Sequence, residues 1–302
     1  MESSFAIPVN KRFSLWRTVF SHGWCSLAPY SVDKEHQALV RLLALGHGKN
    51  ILVRLEEHQT HGIKVSVSSS RQLRPSEKND ILHQLKVCLR LDEDLEEFYR
   101  EARRHAGFRW VFDAGAGRLL RAPTVFEDVV KMICTTNCSW ALTEIMVNNL
   151  CRWFGESFDD AGYTFPSPAA IAGSTEKFLR TKIKSGYRSP YLLELSRRVA
   201  EGELDIESWR SSNLSTPELF EEVRSVKGVG PYAAGNILKL LGRYDYLGLD
   251  SWCRGKFFDI HKGGRRGSDR TIERFYASYG KWKGLFFWLD VTKDWYDHKF
   301  PF

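Results

Sequence analysis

The segment Val226-Lys227-Gly228-Val229-Gly230-Pro231-Tyr232-Ala233-Ala234 restricts the fold of this 302-residue chain more than any other. Its two glycines allow a tight turn and a close approach of the backbone to another group. Pro231 suits the first turn of a following helix, where the missing N–H costs nothing. The pattern predicts a helix–hairpin–helix within about residues 216–242, and the N–H groups at the start of its second helix can hold a phosphate.

Asp250 stands 20 residues beyond Gly230, in Gly248-Leu249-Asp250-Ser251-Trp252. Aspartate is a preferred helix N-cap, so this residue is expected to begin the next helix. The N–H groups and the dipole of that helix favour the charged carboxylate. A fixed carboxylate can stabilise positive charge on a reacting group or activate water, although capping alone also accounts for an aspartate here.

The N-terminal region has the apolar pattern of β-strands. Residues 51–55 form a short apolar run, and Ile63, Val65 and Val67 alternate with polar residues. Residues 36–45 fit either another strand or a short helix. An antiparallel sheet is the simplest structure that accommodates these segments.

The pattern becomes helical after Pro75. Ser76 is expected to cap one helix, and Thr124 and Glu127 have the spacing of a capping box at another. Later helices are expected at about 140–154, 174–184, 189–201, 216–225, 231–242, 251–260 and 268–290, with a break at Gly280 in the last. We therefore expect an α+β protein, with an antiparallel β-rich N-terminal domain at residues 1–90 and a mostly α-helical two-part core at residues 91–302.

Charge and cysteine usage restrict the partners and cofactors. The formal net charge of +7 and a pI near 9.0 favour a polyanionic partner such as nucleic acid. The six cysteines show no zinc spacing, and none follows Cys253, so no iron–sulfur cluster is expected. The sequence lacks a signal-peptide pattern and a membrane-length apolar run. We expect a soluble intracellular monomer (cytoplasm and nucleoid, or nucleus in a eukaryote) without membrane association.

The hairpin followed by Asp250 resembles the helix-hairpin-helix (HhH-GPD) DNA glycosylase superfamily. Val125 through Cys138 and the turn Gly186-Tyr187-Arg188 are similar to segments of its 8-oxoguanine DNA glycosylases. The β-rich start followed by helices is similar to these enzymes and to bacterial 3-methyladenine DNA glycosylase II. The resemblance implies a base-excision-repair enzyme that flips a damaged base out of double-stranded DNA and hydrolyses its N-glycosidic bond.

The resemblance also assigns roles to single residues. Asp250 would be the catalytic carboxylate, and Gly228 and Gly230 would bind the DNA backbone. Asn137 would enter the gap left by the flipped nucleotide, Tyr187 would wedge beside it, and Arg188 would reach the partner base. No cofactor is required, but the main-chain carbonyls of the hairpin would hold a structural monovalent or divalent cation; these belong to Arg224, Val226 and Val229.

Two positions depart from the pattern of the resembling enzymes. Members that also cleave the DNA backbone carry a lysine where this chain has Tyr232, and tyrosine cannot form a Schiff base with the sugar. Leu142 stands near the position of the arginine that contacts the estranged cytosine in 8-oxoguanine glycosylases. These departures predict a monofunctional glycosylase without AP-lyase activity.

The identity of the excised base depends on residues near Asp250. Tyr232 and Trp252 are expected to wall a base pocket, and aromatic walls favour electron-poor alkylated purines. The segments around Asn137 and Tyr187 favour 8-oxoguanine as the alternative. A non-catalytic helix-hairpin-helix DNA-binding protein is an alternative of another class, and a helical interaction protein that binds no nucleic acid is a third.

Overall fold

The computed structural model describes residues 1–46, 49–58 and 62–297. Contacts between Cα atoms divide the chain into two units that are each discontinuous in sequence. Among the described residues, unit 1 contains Met1–Glu93 and Arg118–Glu207, and unit 2 contains Asp94–Gly117 and Ser208–Asp297. This division differs from a single boundary at residue 90, because the helices of residues 118–207 pack in the same unit as the sheet.

Unit 1 contains a five-stranded antiparallel sheet, as the sequence predicted. The spatial order of the strands is β1-β5-β4-β3-β2. From β2 to β5, each strand pairs with the strand that follows it in the sequence. The strands are β1 (Glu2–Pro8), β2 (Tyr30–Asp33), β3 (Ala38–Leu45), β4 (Lys49–His58) and β5 (Gly62–Ser68). Residues 36–45, whose sequence fits either a strand or a short helix, therefore contain β3.

One face of the sheet is buried because apolar residues alternate along its central strands. Val53 on β4 lies opposite Val67 on β5, Leu55 lies opposite Val65, and all four are at most 1% exposed. Successive side chains in a strand point to opposite faces, so this register places the apolar set on one side. That side forms the core of unit 1.

Fifteen α-helices lie within the described residues. In unit 1 they are α1 (Leu15–Val19), α2 (Pro75–Leu89), α5 (Val125–Thr135), α6 (Trp140–Phe154), α7 (Pro168–Ala172), α8 (Glu176–Phe178) and α9 (Ser189–Ala200). In unit 2 they are α3 (Glu96–Arg104), α4 (Arg109–Ala114), α10 (Thr216–Arg224), α11 (Pro231–Leu241), α12 (Ser251–Lys262), α13 (Asp269–Tyr276), α14 (Lys283–Val291) and α15 (Lys293–Asp297). None of the described helices is long and apolar enough to cross a membrane.

The helix starts agree with the sequence in some places and differ in others. Thr124 caps α5 as predicted, with its Oγ1 accepting from the Glu127 amide at 3.2 Å. The predicted capping box is wrong for Glu127. Its carboxylate does not return to the backbone of Thr124 but turns into the core of unit 1. Ser76 is not a cap: α2 begins at Pro75, whose fixed φ suits the first helical position, and Arg74 is its N-cap.

A buried ion cluster joins the sheet to α5. Glu127 accepts two hydrogen bonds from Arg41 of β3, at 2.6 and 3.1 Å, and one from Lys131 at 2.7 Å. Each of these three side chains is at most 2% exposed. Burial acts to raise the pKa of Glu127, but the two cations outweigh it and hold that pKa below its ordinary value. The sheet and α5 therefore depend on one another for charge balance.

Candidate functional site

The helix–hairpin–helix lies in unit 2 where the sequence predicted it. Residues 225–230 connect α10 to α11, and the Val229 amide donates to the Val226 carbonyl at 3.0 Å. Gly228 has a φ of 88°, a conformation that favours glycine. Gly230 is the N-cap of α11, and Pro231 is its first residue. The two glycines thus have different functions. The backbone conformation at position 228 requires glycine, whereas the conformation at Gly230 does not.

The turn presents donors for an anion. The amides of Gly228 and Gly230 donate to no acceptor within the described residues. A Cβ added to Gly230 would meet no atom within 4 Å, so the space beside this residue is open. Free amides at a helix N-terminus, together with the helix dipole, favour a phosphate oxygen at this place.

The same turn carries the three carbonyls expected to hold a cation. The Val226 carbonyl already accepts the Val229 amide. Within the described chain, the carbonyls of Arg224 and Val229 accept no hydrogen bond. Carbonyl oxygens without donors suit a hard cation, so these residues fit the predicted ion, which stays a prediction.

Asp250 is the N-cap of α12, as predicted. Its Oδ1 accepts a hydrogen bond from the Cys253 amide at 2.7 Å, and its side chain is half-buried. The Cys253 side chain also interacts with this carboxylate. The start of α12 therefore holds the Asp250 carboxylate in place while leaving it partly exposed.

Close packing against α11 positions the backbone that leads into Asp250. A Cβ added to Gly235 would lie 2.9 Å from the Cα of Gly248, so only glycine permits this approach. Gly248 itself has a φ of 64°, and its carbonyl accepts from Asn236 at 3.4 Å. Gly235 and Asn236 are positioning residues that the sequence reading missed. The signal for Gly235 was a glycine inside a helix, where glycine is unfavourable unless packing requires it.

A lysine lies in the core of unit 2. Lys239 of α11 is 3% exposed, and its Nζ lies 4.6 Å from the centre of the Trp288 ring. Burial lowers the pKa of Lys239 to about 8, against the opposing attraction of Cys253 and Asp250.

The two residues predicted to wall a pocket lie in different surroundings. Tyr232 lines a cavity of about 710 Å³ together with Phe220, Tyr246 and Arg254, whereas Trp252 and Asp250 do not line it. Trp252 is 43% exposed and packs against Trp295, with ring centroids 5.3 Å apart. The structure therefore pairs Trp252 with Trp295, a residue that no local sequence pattern singled out.

Unit 1 brings together the other predicted DNA-contacting residues. Asn137 has a φ of 46°, and its Nδ2 lies 3.4 Å from the hydroxyl of Tyr187. Tyr187 is 46% exposed and follows Gly186, whose φ is 56°. An exposed ring and amide on two adjoining turns suit insertion into a duplex.

Arg188 differs from the prediction that it reaches outward. Its side chain is 3% exposed, its Nη2 donates to the Thr136 carbonyl, and its Nε donates to Thr136 Oγ1 at 3.3 Å. Its guanidinium also lies 4.5 Å from the centre of the Tyr187 ring. Arg188 therefore braces the turn that carries Tyr187, because the Thr136 carbonyl at the end of α5 offers it a closer partner than solvent.

The fold and the hairpin with its N-capping aspartate define the HhH-GPD class of glycosylase folds. The 3-methyladenine DNA glycosylase from Archaeoglobus fulgidus superimposes with a TM-score of 0.77 at 19% identity, covering 98% of this chain and 100% of that one. The 8-oxoguanine glycosylase/lyase from Clostridium acetobutylicum superimposes with a TM-score of 0.73 at 20% identity, covering 96% and 97%. Both likenesses concern the fold.

Sequence similarity points to the same class, although no family model matches the chain. A probable N-glycosylase/DNA lyase of Methanothermobacter thermautotrophicus is 30% identical over 206 residues, which are 60% of this chain and 64% of that relative. The DNA-3-methyladenine glycosylase of Bacillus subtilis is 22% identical over 208 residues, 68% of each chain. The match thus spans less than two thirds of the archaeal relative. In sequence and in fold, the chain is similar to helix-hairpin-helix DNA glycosylases.

Proposed function

We propose that this protein is a monofunctional DNA glycosylase that excises a damaged base from double-stranded DNA in base excision repair. The observation that carries the proposal is the pairing, in one unit, of an open hairpin with a helix-capping carboxylate. The amides of Gly228 and Gly230 have no protein acceptor within the described residues, and the Asp250 carboxylate is partly exposed at the start of α12. The hairpin would hold a phosphate while the carboxylate faces the flipped deoxyribose.

The proposed chemistry follows from the charge that develops on the sugar. When the N-glycosidic bond breaks, the base leaves with the bonding electrons and C1′ becomes cationic. The Asp250 carboxylate stabilises that cation and orients or deprotonates a water molecule that adds to C1′. The products are the free base and an abasic site in an intact strand.

The residue at position 232 argues against a lyase step. A lyase needs an amine that attacks C1′ and forms an imine, after which the strand breaks by elimination. Tyr232 supplies a hydroxyl there, and Lys239, two helical turns further along α11, is 3% exposed. Some relatives are named N-glycosylase/DNA lyase, so this finer assignment requires its own test.

Alkylated purines are the proposed substrate class. Trp252, 43% exposed, presents its ring two residues after Asp250 and is backed by Trp295. An electron-rich indole attracts a base that carries positive charge, such as a methylated purine. The second candidate is 8-oxoguanine, and the adjoining turns of Asn137 and Tyr187, similar in sequence to those of 8-oxoguanine glycosylases, favour it.

A panel of damaged duplexes tests both the substrate and the mechanism. We expect faster release of 3-methyladenine and 7-methylguanine than of 8-oxoguanine, with strand breaks appearing only after alkali. Borohydride should trap no protein–DNA adduct, because Tyr232 stands where the lyases carry their lysine and supplies no amine. The measurements are single-turnover base release and denaturing gels with and without alkali. Strand breaks without alkali, together with a trapped adduct, would contradict the monofunctional assignment.

Substituting Gly230 is expected to separate DNA binding from folding. Gly230→Ala should leave the free energy of unfolding within about 0.5 kcal/mol, since its φ is ordinary and the added methyl meets no atom. The methyl should obstruct close approach of a phosphate and weaken affinity for undamaged duplex several-fold. Gly107→Ala is the matched control, because a Cβ there also meets nothing within 4 Å. Equal DNA affinity for both variants, measured by fluorescence anisotropy, would exclude the hairpin as the phosphate site.

A further inference from the structure

The segment of unit 1 that leads into the Tyr187 turn carries positive charge that the proposed chemistry does not use. Residues 176–188 contain five basic residues and a single acid. That acid pairs with Arg180 at 2.5 Å. Lys182 and Lys184 are exposed, and neither forms an ion pair within the described residues. Two uncompensated cations therefore lie close in sequence to Tyr187.

A single π-helical turn, Leu179–Ile183, holds these lysines in place. The Lys184 amide donates to the Leu179 carbonyl, five residues earlier, and so closes the turn. Asn149 of α6 donates from Nδ2 to the Ile183 carbonyl at 3.4 Å. Leu179 and Ile183 are fully buried, so the turn is anchored in the core of unit 1. Such π-helical turns are rare in proteins and occur frequently at functional sites.

Lys184 has a backbone conformation that favours glycine. Its φ is 65°, in the left-handed region, where a Cβ is sterically unfavourable. Its ammonium forms no ion pair in the described part of the chain, so no charge contact within the protein compensates for this strain. A lysine in a strained and exposed position points to a partner outside the chain.

An exposed aromatic ring positions Lys182. The Nζ of Lys182 lies 5.7 Å from the centre of the Trp153 ring, which is 49% exposed. Trp153 in turn packs edge-on against Phe178, with ring centroids 5.4 Å apart. A cation–π contact orients an ammonium without neutralising its charge. Lys182 therefore stays available to an anion.

We propose that Lys182 and Lys184 bind phosphates of the DNA backbone beside the step into which Tyr187 would insert. The inference rests on the proposed function, which makes double-stranded DNA the partner. Three residues span at most about 11 Å, so Lys184 stays close to the phosphates that flank an inserted Tyr187. Lysine contacts a phosphate as a point charge, so this binding is independent of base sequence.

The first test measures how affinity for an undamaged duplex depends on salt, by fluorescence anisotropy. Each phosphate contact contributes about 0.9 to the slope of log affinity against log salt concentration. Lys182→Gln and Lys184→Gln should therefore each reduce the magnitude of the slope by about 0.9, and the double variant by about 1.8. Affinity at low salt should fall several-fold in each single variant.

The matched control is Lys78→Gln. Lys78 is an exposed lysine on α2 of the same unit and forms no ion pair within the described residues. Its replacement removes the same net charge from another part of the unit and should keep the wild-type slope. An unchanged slope in the double variant, or an equal reduction in Lys78→Gln, would overturn the proposal.

The second test separates the charge of Lys184 from its backbone strain. Glycine adopts a φ of 65° without a steric cost, so Lys184→Gly should unfold at a midpoint temperature no lower than that of the wild type. Its salt slope should nevertheless fall as in Lys184→Gln. Lys184→Arg retains the charge and should keep the wild-type slope. A wild-type slope in Lys184→Gly would also refute the phosphate contact.

Base release distinguishes this inference from the proposed function. If the wild-type protein released no damaged base while the slope still fell in the lysine variants, the proposed function alone would be contradicted. If the wild-type protein released base while the slopes of wild type and double variant agreed, the phosphate contact alone would be contradicted.

Discussion

Replacement of Asp250 by Asn is expected to slow base release by about 10²–10³-fold, the usual cost of removing one electrostatic contact to a transition state. The amide is neutral and cannot stabilise positive charge on the deoxyribose. It also cannot take a proton from water. Affinity for a lesion-containing duplex should be retained, because the hairpin amides that would hold the phosphate belong to a different segment. Single-turnover kinetics and anisotropy titrations on one duplex measure both quantities.

The fold of this variant should be intact. Asparagine is as good an N-cap as aspartate, and its side-chain oxygen can still accept from the Cys253 amide. The matched control is Asp259→Asn on the same helix, where the carboxylate is 56% exposed and faces Arg266. That variant should release base at the wild-type rate. Wild-type turnover by Asp250→Asn would instead support the non-catalytic DNA-binding alternative or a different catalytic group.

Replacement of Glu127 by Gln is expected to have the largest effect on stability. It removes the negative charge that bonds to both Arg41 and Lys131, and both cations are at most 2% exposed. Breaking a buried ion pair by removing one partner costs about 3–5 kcal/mol, because the remaining charge stays buried. Urea denaturation at pH 7, followed by circular dichroism, should show a loss of that size in the free energy of unfolding.

The control for this effect is an ion pair at the surface of the same unit. Glu176→Gln breaks the pair with Arg180, in which both side chains are about half exposed, and should cost less than about 1 kcal/mol. The pH dependence has a definite sign, since the folded pKa of Glu127 is held below its ordinary value. The contribution of Glu127 is present above about pH 4.3 and is lost as the pH falls through its folded pKa. Equal losses for the two variants would mean that the buried cations find other compensation.

Local patterns in the sequence were sufficient for most of the fold. The alternation in residues 63–67 predicted a half-buried strand, and the glycines and proline of residues 228–231 predicted the turn between α10 and α11. Asp250 as an N-cap follows from the same local chemistry. Each of these structures depends on residues that are close together in the chain.

Errors arose wherever a side chain had to choose between a local and a distant partner. Glu127 was expected to return to the backbone of Thr124, but two cations, one of them 86 residues away on β3, bind it more strongly. Arg188 was expected to extend toward a base, but the Thr136 carbonyl, 52 residues away, holds it. Spacing along one chain carries no information about such competition.

The sequence by itself determined the antiparallel sheet, the helix–hairpin–helix and the capping position of Asp250, because backbone conformation and hydrogen bonding within a few residues specify them. Only the tertiary structure decided that Lys239 lies in the core against the ring of Trp288, and that Trp295 backs Trp252. These pairs are 49 and 43 residues apart and meet through helix packing. The physical reason is that burial and electrostatic coupling depend on distances in space, which no local pattern specifies.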